Sequence, residues 1–418
     1  MKNFLDVLDK TIFKVIRGVG QTADRFPVSA YLVGGFVRDI FLRRKNLDVD
    51  IVLEGDAIAL AKNYARQHNS RIIIYERFGT ATIELKTGLR VDFATARKES
   101  YAHAGALPVV ESGNIEDDLF RRDFTVNAMA MCINRKRFGE LVDEFHGLAD
   151  LRTKKIRILH EKSFADDPTR ILRAVRFEQR FQFTMEKKTF QLLKTALAQN
   201  YPRHVKPERY FAEFKKILEE EMPQRCLVRL AVLRGLKFLS EDLKISVKQL
   251  LCVSHNINVL EKKAHIQKAE RWILYFMSVL ENLSVSKVEE LLAKFNLRKA
   301  DRVKILAVRD LERGVKIFKK DSAPSEIYQI LKPFPRETIL FARVNTSNKI
   351  IHKHIDDFFK KYHDAALDID GYDLKRIGVA AGNRMRWILN EILYKKLDGV
   401  LGSRREQMEE AKQLQGGR

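Results

Sequence analysis

The sequence predicts an α+β multidomain protein in which an α/β head is followed by an all-α neck, body and tail. Short strand-like runs alternate with helical patterns over residues 31–94. Residues 226–331, in contrast, contain no β-patterned run but several amphipathic ones. A chain of 418 residues with 45% hydrophobic content is also long enough for two or more cores.

An alternating run at residues 47–53 predicts a strand that carries two acids. Asp48 and Asp50 lie two apart, and strand side chains alternate between faces, so both carboxylates are predicted on one side. Mg²⁺ prefers oxygen ligands, and two such ions about 3.5 to 4 Å apart stabilise the attacking and leaving oxygens of a phosphoryl transfer. The run therefore predicts a site for two Mg²⁺ ions; the alternative is a pair of solvated strand aspartates.

Two glycines precede that strand and follow the apolar run at residues 31–33. Gly34 and Gly35 allow the backbone to approach a triphosphate closely. The helical pattern that starts after them, with Arg38, adds partial positive charge at its N-terminus. This stretch is predicted to bind the phosphates of a nucleotide.

The rest of the head is predicted to be a small α/β unit. A helix is predicted at residues 57–67 and short strands at 71–75, 80–85 and 89–94. Asp92, in the last strand, could face the same metal ions as a third catalytic acid. The alternative is a solvated strand aspartate, because a single acid is a weak signal.

Residues 98–117 contain two glycines and a proline without clear periodicity, which predicts a mobile loop beside the site. After this loop, Arg122 offers a guanidinium fork for a phosphate. Asp123 and Asn127 lie four apart and can face the same way on a helix. They could recognise the hydroxyls of a ribose; a capping or surface role is the alternative.

A helix with a cationic face is predicted within residues 163–181. Arg170, Arg173 and Arg176 recur every three residues, with apolar residues largely on the remaining arc. Asp166 or Asp167 suits the N-terminal end of this helix. A cationic helix face is commonly just solvated, which is the alternative to a binding role.

The remainder of the chain is predicted to be helical. Residues 207–218 have the apolar spacing of a packed helix. Further amphipathic helices are predicted at residues 248–259, 261–283, 285–295 and 302–318. Basic residues between positions 298 and 320 could follow an RNA backbone. A turn at residues 332–337 is predicted to link this part to a small helical tail.

The composition favours an anionic partner, because the formal net charge is +22 and the pI is near 9.8. Three widely spaced cysteines form no metal-ligand pattern and no disulfide framework, which favours a reducing cytoplasm. The first 16 residues have helical spacing rather than the apolar core of a signal peptide. No apolar run approaches the roughly 20 residues that span a bilayer.

Several segments resemble the class II tRNA nucleotidyltransferases, relatives of bacterial poly(A) polymerase within the polymerase β-like superfamily. They are GGFVRDIFL with DVD (residues 34–50), RRDFTVNAMA (121–130), SFADDPTRILRAVRFEQRF (163–181) and, in the tail, IDGYDLKRIGV (369–379). The chain departs from the family pattern at one place, where the family usually has glycine and this chain has Arg43 and Arg44. This difference affects the tightness of the connecting turn and not the acids.

The resemblance implies roles for these residues. Asp48 and Asp50 are expected to bind two Mg²⁺, with Asp92 as a third acid. Asp167 and Arg170 are expected to read the Watson–Crick edge of the incoming base. A carboxylate that accepts an amino proton beside a donating guanidinium fits cytosine and adenine and disfavours uracil and guanine. The residues expected around the triphosphate are Gly34, Gly35, Arg38, Arg122, Arg173 and Arg176.

The resemblance also implies a polymerase β-like catalytic head at residues 1–160, a base-reading helical neck at 161–225, a helical body at 226–335 and a tRNA-binding tail at 336–418. It implies template-independent addition of CMP, AMP or both, from CTP and ATP, to the 3′ end of tRNA. Addition of CCA, of CC only and of A only all stay open, although the retained loop favours adenosine. The alternatives are a poly(A) polymerase and a non-catalytic RNA-binding relative, which intact Asp48 and Asp50 disfavour.

Overall fold

The computed structural model describes residues 8–45, 47–241, 243–262 and 271–416. The chain divides into two compact units: Met1–Ile217 with Arg225–Phe238, and Leu218–Gln224 with Leu239–Arg418. Every strand of the described residues lies in the first unit. The predicted α/β head and helical remainder are thereby confirmed, whereas the boundaries at residues 160, 225 and 335 stay a prediction. None of the described helices combines the length and the apolar character needed to cross a membrane.

The strands occur in four predicted positions and in several short additional ones. They are β1 (Ser29–Val33), β2 (Val49–Glu54), β3 (Arg71–Tyr75), β4 (Thr80–Glu84), β5 (Arg90–Thr95), β6 (Arg97–Ser100), β7 (Val109–Ser112), β8 (Ala130–Cys132), β9 (Leu141–Val142), β10 (Lys155–Ile156) and β11 (Thr184–Met185). Seven form one mixed sheet in the order β3-β4-β5-β2-β1-β8-β9. Only β2 and β5 run parallel within that sheet.

Helices of the described residues occur in both units. They are α1 (Lys10–Arg25), α2 (Gly35–Phe41), α3 (Ala57–Gln67), α4 (Ile115–Phe120), α5 (Gly147–Arg152), α6 (Ser163–Asp166), α7 (Arg170–Phe181), α8 (Lys187–Ala198), α9 (Pro207–Leu218), α10 (Pro223–Val232), α11 (Val247–Lys262), α12 (Arg271–Leu280), α13 (Val285–Lys294), α14 (Lys299–Leu306), α15 (Val308–Val315), α16 (Pro324–Leu331), α17 (Arg336–Val344), α18 (Lys349–Asp357), α19 (Gly371–Arg376), α20 (Asn383–Leu397) and α21 (Arg404–Gly416).

The acid-bearing strand is shorter than predicted at its start. β2 begins at Val49, so Asp48 lies immediately before the strand and Asp50 within it. The neighbouring strand β1 ends at Val33 because Gly34 adopts a left-handed φ of 67° and turns the chain into α2. Beyond that turn the residues before Val49 have no β1 partner to pair with. Inside the strand, Ile51 and Leu53 are buried, which leaves Asp50 on the opposite face.

The turn after α2 accommodates the arginine that departs from the family pattern. Arg43 follows the helix in a left-handed conformation with a φ of 53°. Glycine adopts this conformation without steric cost, whereas other residues lose roughly 1 to 2 kcal/mol in it. The turn is therefore formed with the local geometry that glycine would favour, and the acids that follow keep their place.

The segment predicted as a loop at residues 98–117 is partly a β-hairpin. β6 and β7 pair antiparallel, with Arg97 opposite Ser112 and Ser100 opposite Val109. Only residues 101–108 connect them without strand structure. The hairpin was not predicted because its strands are mostly polar or exposed, so they show no apolar alternation.

The second unit contains the predicted helices with two changes. The helix predicted at residues 302–318 is divided into α14 and α15, which meet at Ala307. Ile305 and Leu311 are both buried. On a straight helix, two side chains six residues apart point in directions that differ by about 240°, so they would not face one core. The break at Ala307 allows both side chains to be buried. Of the helix predicted at 261–283, residues 263–270 lie outside the described residues and α12 is present. The turn at 332–337 separates α16 from α17.

Candidate nucleotide-transfer site

An open pocket of about 720 Å³ in the first unit collects most of the predicted site residues. Its wall is dominated by arginines and acids from β2, α2, α7 and the segment after α4. It includes every predicted residue except Gly34 and Asp92: Gly35, Arg38, Asp48, Asp50, Arg122, Asp123, Asn127, Asp167, Arg170, Arg173 and Arg176. Four separate stretches of sequence thus supply one concave, positively charged surface.

Asp48 and Asp50 form the acidic end of this pocket. Burial raises the pKa of Asp50 to about 6, with the charges of Asp92 and Asp48 adding to the shift and that of Arg122 opposing it. A carboxylate held near like charges in a partly buried place is stabilised by a cation, so this donor set fits Mg²⁺. Within the described ranges, however, no group of three or more acidic, histidine or cysteine side chains is placed to hold a metal ion together.

Asp92 lies directly beside Asp50 but faces a different cavity. The two residues are paired in the parallel register of β2 and β5. The Asp92 carboxylate accepts a hydrogen bond from the hydroxyl of Thr82 on β4. Asp92 lines a second cavity together with Asp50, and is absent from the wall of the arginine-rich pocket. A role for Asp92 as a third acid stays a prediction.

Arg122 is held by a buried acid that was not predicted. Asp118, at the end of α4, is fully buried and accepts from Arg122 Nη2 at 2.8 Å and from Arg121 Nη2 at 2.6 Å. Burial raises the pKa of Asp118, but the charges of Arg122 and Arg121 outweigh this and lower it overall. Among the described residues, Arg122 Nε is buried and has no hydrogen-bond acceptor.

Gly34 contributes by making room for that arginine. A Cβ atom at Gly34 would lie 2.5 Å from Nη1 of Arg122, closer than non-bonded atoms can approach. The left-handed φ of Gly34 also excludes most side chains. The turn therefore favours glycine at position 34, which also leaves room for the Arg122 side chain, while Gly35 lies on the pocket wall.

Arg38 is deeply placed and already engaged by protein groups. Its Nε and Nη2 donate to the Asp39 carboxylate at 2.9 Å, and its Nη1 donates to Asn127 Oδ1 at 2.6 Å. Its guanidinium lies over the ring of Phe181, 4.6 Å from the centroid. Burial lowers the pKa of Arg38, which the Asp39 charge opposes. These contacts make Arg38 a residue that positions Asn127 as well as part of the wall.

Asp123 and Asn127 come together as predicted, although not on an α-helix. Asn127 Nδ2 donates to Asp123 Oδ1 at 2.9 Å across a short 3₁₀ helix, Thr125–Asn127. Arg173, on α7, donates to the other Asp123 oxygen at 2.8 and 2.5 Å. Burial raises the pKa of Asp123, but the Arg173 charge and these hydrogen bonds outweigh it and lower the pKa to about 2.

Asp167 and Arg170 both line the pocket, but their closest partners are other residues. Asp167 Oδ1 accepts from the backbone N–H and hydroxyl of Thr169, and Oδ2 pairs with Arg209 Nη2 at 3.0 Å. Arg170 donates to Ser163 Oγ at 2.6 Å and to the carbonyl of Arg121 at 2.7 Å. The acid and guanidinium in direct contact here are thus Asp167 and Arg209.

Sequence reasoning missed several residues in or next to the pocket wall that act through other residues. Glu99 accepts from the Tyr101 hydroxyl at 2.8 Å and from Arg121 Nη1 at 3.2 Å, which connects the hairpin to the base of the pocket. Asp118 could have been found from its spacing of three and four residues to Arg121 and Arg122. Arg209 is remote in sequence from Asp167, and no local pattern pairs them.

The known family with which the head agrees is the poly A polymerase head domain, whose model matches residues 30–157. The paired acids, the arginine-lined pocket and this match define a nucleotidyltransferase class of head domain. Members of that class generally use divalent metal ions.

Similarity extends over the whole chain. The A-adding tRNA nucleotidyltransferase of Halalkalibacterium halodurans is 30% identical over 428 residues, covering 99% of this chain and 96% of the relative. That of Geobacter sulfurreducens is 32% identical over 417 residues, 97% of this chain and 47% of the relative. The Thermotoga maritima CCA-adding enzyme complexed with tRNA_CCA is 34% identical with a TM-score of 0.78, covering 98% of this chain and 97% of that one.

The chain belongs to the tRNA nucleotidyltransferase family. It spans about half the length of the Geobacter relative and nearly all of the Halalkalibacterium relative. The resemblance inferred from the sequence motifs is thereby confirmed.

Proposed function

We propose that this protein adds nucleotides to the 3′ end of tRNA, with ATP among its substrates and pyrophosphate as the second product. The observation that carries the proposal is one pocket lined by Asp48 and Asp50, by several arginines and by the Asp167–Arg209 pair. That arrangement offers separate places for metal-assisted chemistry, a triphosphate and a base. The names of the relatives support tRNA as the acceptor.

Asp48 and Asp50 are the residues proposed to bind the catalytic metal ions. Asp48 and Asp50 would hold two Mg²⁺ ions, which activate the RNA 3′-hydroxyl and stabilise the leaving pyrophosphate. The raised pKa of Asp50 supports this assignment, because a carboxylate destabilised by its neighbours gains most from a cation.

The arginines of the pocket are proposed to bind the triphosphate. Arg122, Arg173 and Arg176 would contact phosphate oxygens, since a guanidinium binds them with two donors in a fixed geometry. Gly34 and Gly35 allow the backbone and Arg122 to approach, and Arg38 holds the Asn127 side chain. Asp123 and Asn127 would contact the ribose hydroxyls from the same wall.

The base would be recognised where α6 meets α7. Asp167 accepts an amino proton, and a guanidinium from Arg170 or Arg209 donates to the adjacent ring nitrogen. Adenine and cytosine both present an amino group beside an acceptor, whereas uracil and guanine present the reverse on that edge. The A-adding relatives favour adenine as the base that this chain accepts.

Within this proposal residues 1–160 act as the catalytic head, 161–225 as the neck, 226–335 as the body and 336–418 as the tRNA-binding tail. The cysteines Cys132, Cys226 and Cys252 form no disulfide, which suits a reducing cytoplasm. A poly(A) polymerase is the second candidate, supported by the head-domain match alone.

The test uses tRNAs that end at the discriminator base, at C or at CC. Each is incubated with one nucleoside triphosphate at a time, and the 3′ ends are sequenced. A single A added from ATP to the tRNA ending in CC supports A addition. CC added from CTP to the discriminator end, together with that A addition, supports the full activity. A long A tract on any RNA would indicate the poly(A) polymerase, and no addition in any mixture would refute the proposal.

A further inference from the structure

A second open cavity of about 500 Å³ adjoins the nucleotide pocket on the face of the sheet that carries Asp50. Its floor is formed by β2, β5, β4 and the end of β3, and Arg121 and Arg122 lie at its edge. Asp50, Arg121 and Arg122 line both cavities. The two spaces therefore meet at the acid that is proposed to hold metal ions. We call this second space the sheet groove.

The register of the strands defines what the sheet groove presents. Asp50, Asp92 and Thr82 are paired across β2, β5 and β4, so they form one row on the same face. Two residues further along, Thr80 pairs with Ala94 and with Tyr75 on the edge strand β3. Arg90 lies two residues before Asp92, on the other side of that row.

The head covers only part of the face that carries the sheet groove. Val52 and Ala94 on this face pack against Ile115 and Leu119 of α4. On the opposite face of the same strands, Ile83, Val91 and Phe93 are buried. On the groove face Tyr75 is 48% exposed, although it is a large aromatic side chain at a sheet edge. Tyr75 and Arg90 lie on opposite sides of the Asp92 row, about 13 Å apart along the strands at 3.3 Å per residue.

The geometry of phosphoryl transfer indicates what this face receives. The attacking oxygen and the leaving group lie roughly in line, on opposite sides of the reacting phosphorus. The triphosphate, and with it the leaving pyrophosphate, is assigned to the arginine side of Asp50. The attacking hydroxyl must then come from the other side, where the sheet groove is the adjoining space.

We propose that the sheet groove seats the 3′-terminal nucleotides of the RNA acceptor, with Tyr75 stacking on a base and Arg90 contacting a backbone phosphate. This inference rests on the proposed function, because it takes the acceptor to be RNA. Single-stranded nucleic acid is commonly bound by an aromatic platform combined with cationic side chains, which is the combination found here. Thr80 and Thr82 add hydroxyl groups along the floor.

The groove is tested by separating RNA binding from nucleotide binding. Tyr75→Ala and Arg90→Ala are compared with the wild type for the KM of a tRNA ending in CC and for the KM of ATP. Phe78→Ala and Arg71→Ala are matched controls, since both residues are exposed near the same edge but lie outside the sheet groove. Tyr75→Phe keeps the aromatic ring and serves as the conservative variant.

Loss of one stacked base costs roughly a 5- to 150-fold change in affinity, so Tyr75→Ala is expected to raise the KM of the RNA by that order. The KM of ATP is expected to change less than threefold, and Tyr75→Phe and both controls to behave like the wild type. An unchanged KM of the RNA in Tyr75→Ala and Arg90→Ala, or an equal rise for RNA and ATP, would overturn the inference. A wild type that extends no RNA would refute the proposed function instead.

Discussion

Replacing Asp123 with asparagine removes the negative charge on which Arg173 and Asn127 converge. The Asp123 side chain is 7% exposed, and Arg173 donates two hydrogen bonds to one of its oxygens. Asparagine has nearly the same shape and keeps one oxygen that can accept from the Phe124 backbone N–H, as Asp123 does now. The substitution thus isolates the charge from the packing.

The size of the effect follows from the pKa of Asp123, which is lowered from 3.8 to about 2. A lowering of this size corresponds to roughly 2 kcal/mol of stabilisation by the ionised form. An acid whose pKa is lower in the folded state stabilises the fold at pH values above its unfolded-state pKa, here 3.8. This contribution is lost as the pH falls from 3.8 towards the folded-state pKa of about 2. Asp123→Asn should therefore lower the free energy of unfolding by about 2 kcal/mol at pH 7, and by roughly half as much at pH 3.

The assay is urea unfolding of the wild type and Asp123→Asn at both pH values. Glu140→Gln is the control, because Glu140 pairs with Arg137 through an ion pair in which both side chains are about half exposed, and such surface pairs contribute little. The KM of ATP should also rise in Asp123→Asn, since Arg173 loses the group that orients it. A destabilisation no larger than that of Glu140→Gln, or one that grows as the pH falls, would refute the reasoning.

Asp48→Ala and Asp50→Ala should each abolish transfer in a tRNA extension assay while RNA affinity, measured by filter binding, stays near the wild-type value; turnover in either would remove the metal assignment. Arg43→Gly should raise the free energy of unfolding by up to about 1 kcal/mol, because relief of the left-handed conformation exceeds the added chain entropy; a loss would contradict the strain. Affinity for tRNA should fall steeply with salt, by about one unit of log-log slope per neutralised phosphate. Replacing residues 101–109 by a short Gly-Ser link should depress AMP incorporation more than any CMP incorporation, and equal losses would contradict that role.

The sequence predicts best what depends on neighbours along the chain. The alternation of Val49, Ile51 and Leu53 shows one buried face, so the strand and its acid could be anticipated from the period alone. The spacing of Arg170, Arg173 and Arg176 likewise predicts one face of α7, and all three side chains line the pocket. Helix α2 and the acids Asp48 and Asp50 are found at their predicted places, although Arg43 stands where the family usually has glycine.

What the sequence does not show is which distant groups meet. The ion pair of Asp167 with Arg209 could not be predicted, because its residues are distant in sequence. The β6–β7 hairpin could not be recognised, because its polar or exposed strands show no apolar periodicity. The same holds for Asp92. Its position in the strand is evident, but its hydrogen bond with Thr82 depends on the register between β4 and β5. Such contacts are decided by tertiary packing, which local propensity does not contain.

The pocket wall combines cations with acids in a way that explains how it can exist before a nucleotide binds. Each arginine proposed to contact the triphosphate forms an ion pair with a carboxylate of the protein. The pairs are Arg122 with Asp118, Arg173 with Asp123, and Arg176 with Glu213. The acids reduce the mutual repulsion of the guanidinium groups and hold them in place, so less ordering is needed when phosphate arrives. Removing one of these acids should therefore weaken triphosphate binding even though the acid itself would repel the ligand, which is the opposite of what net charge alone predicts.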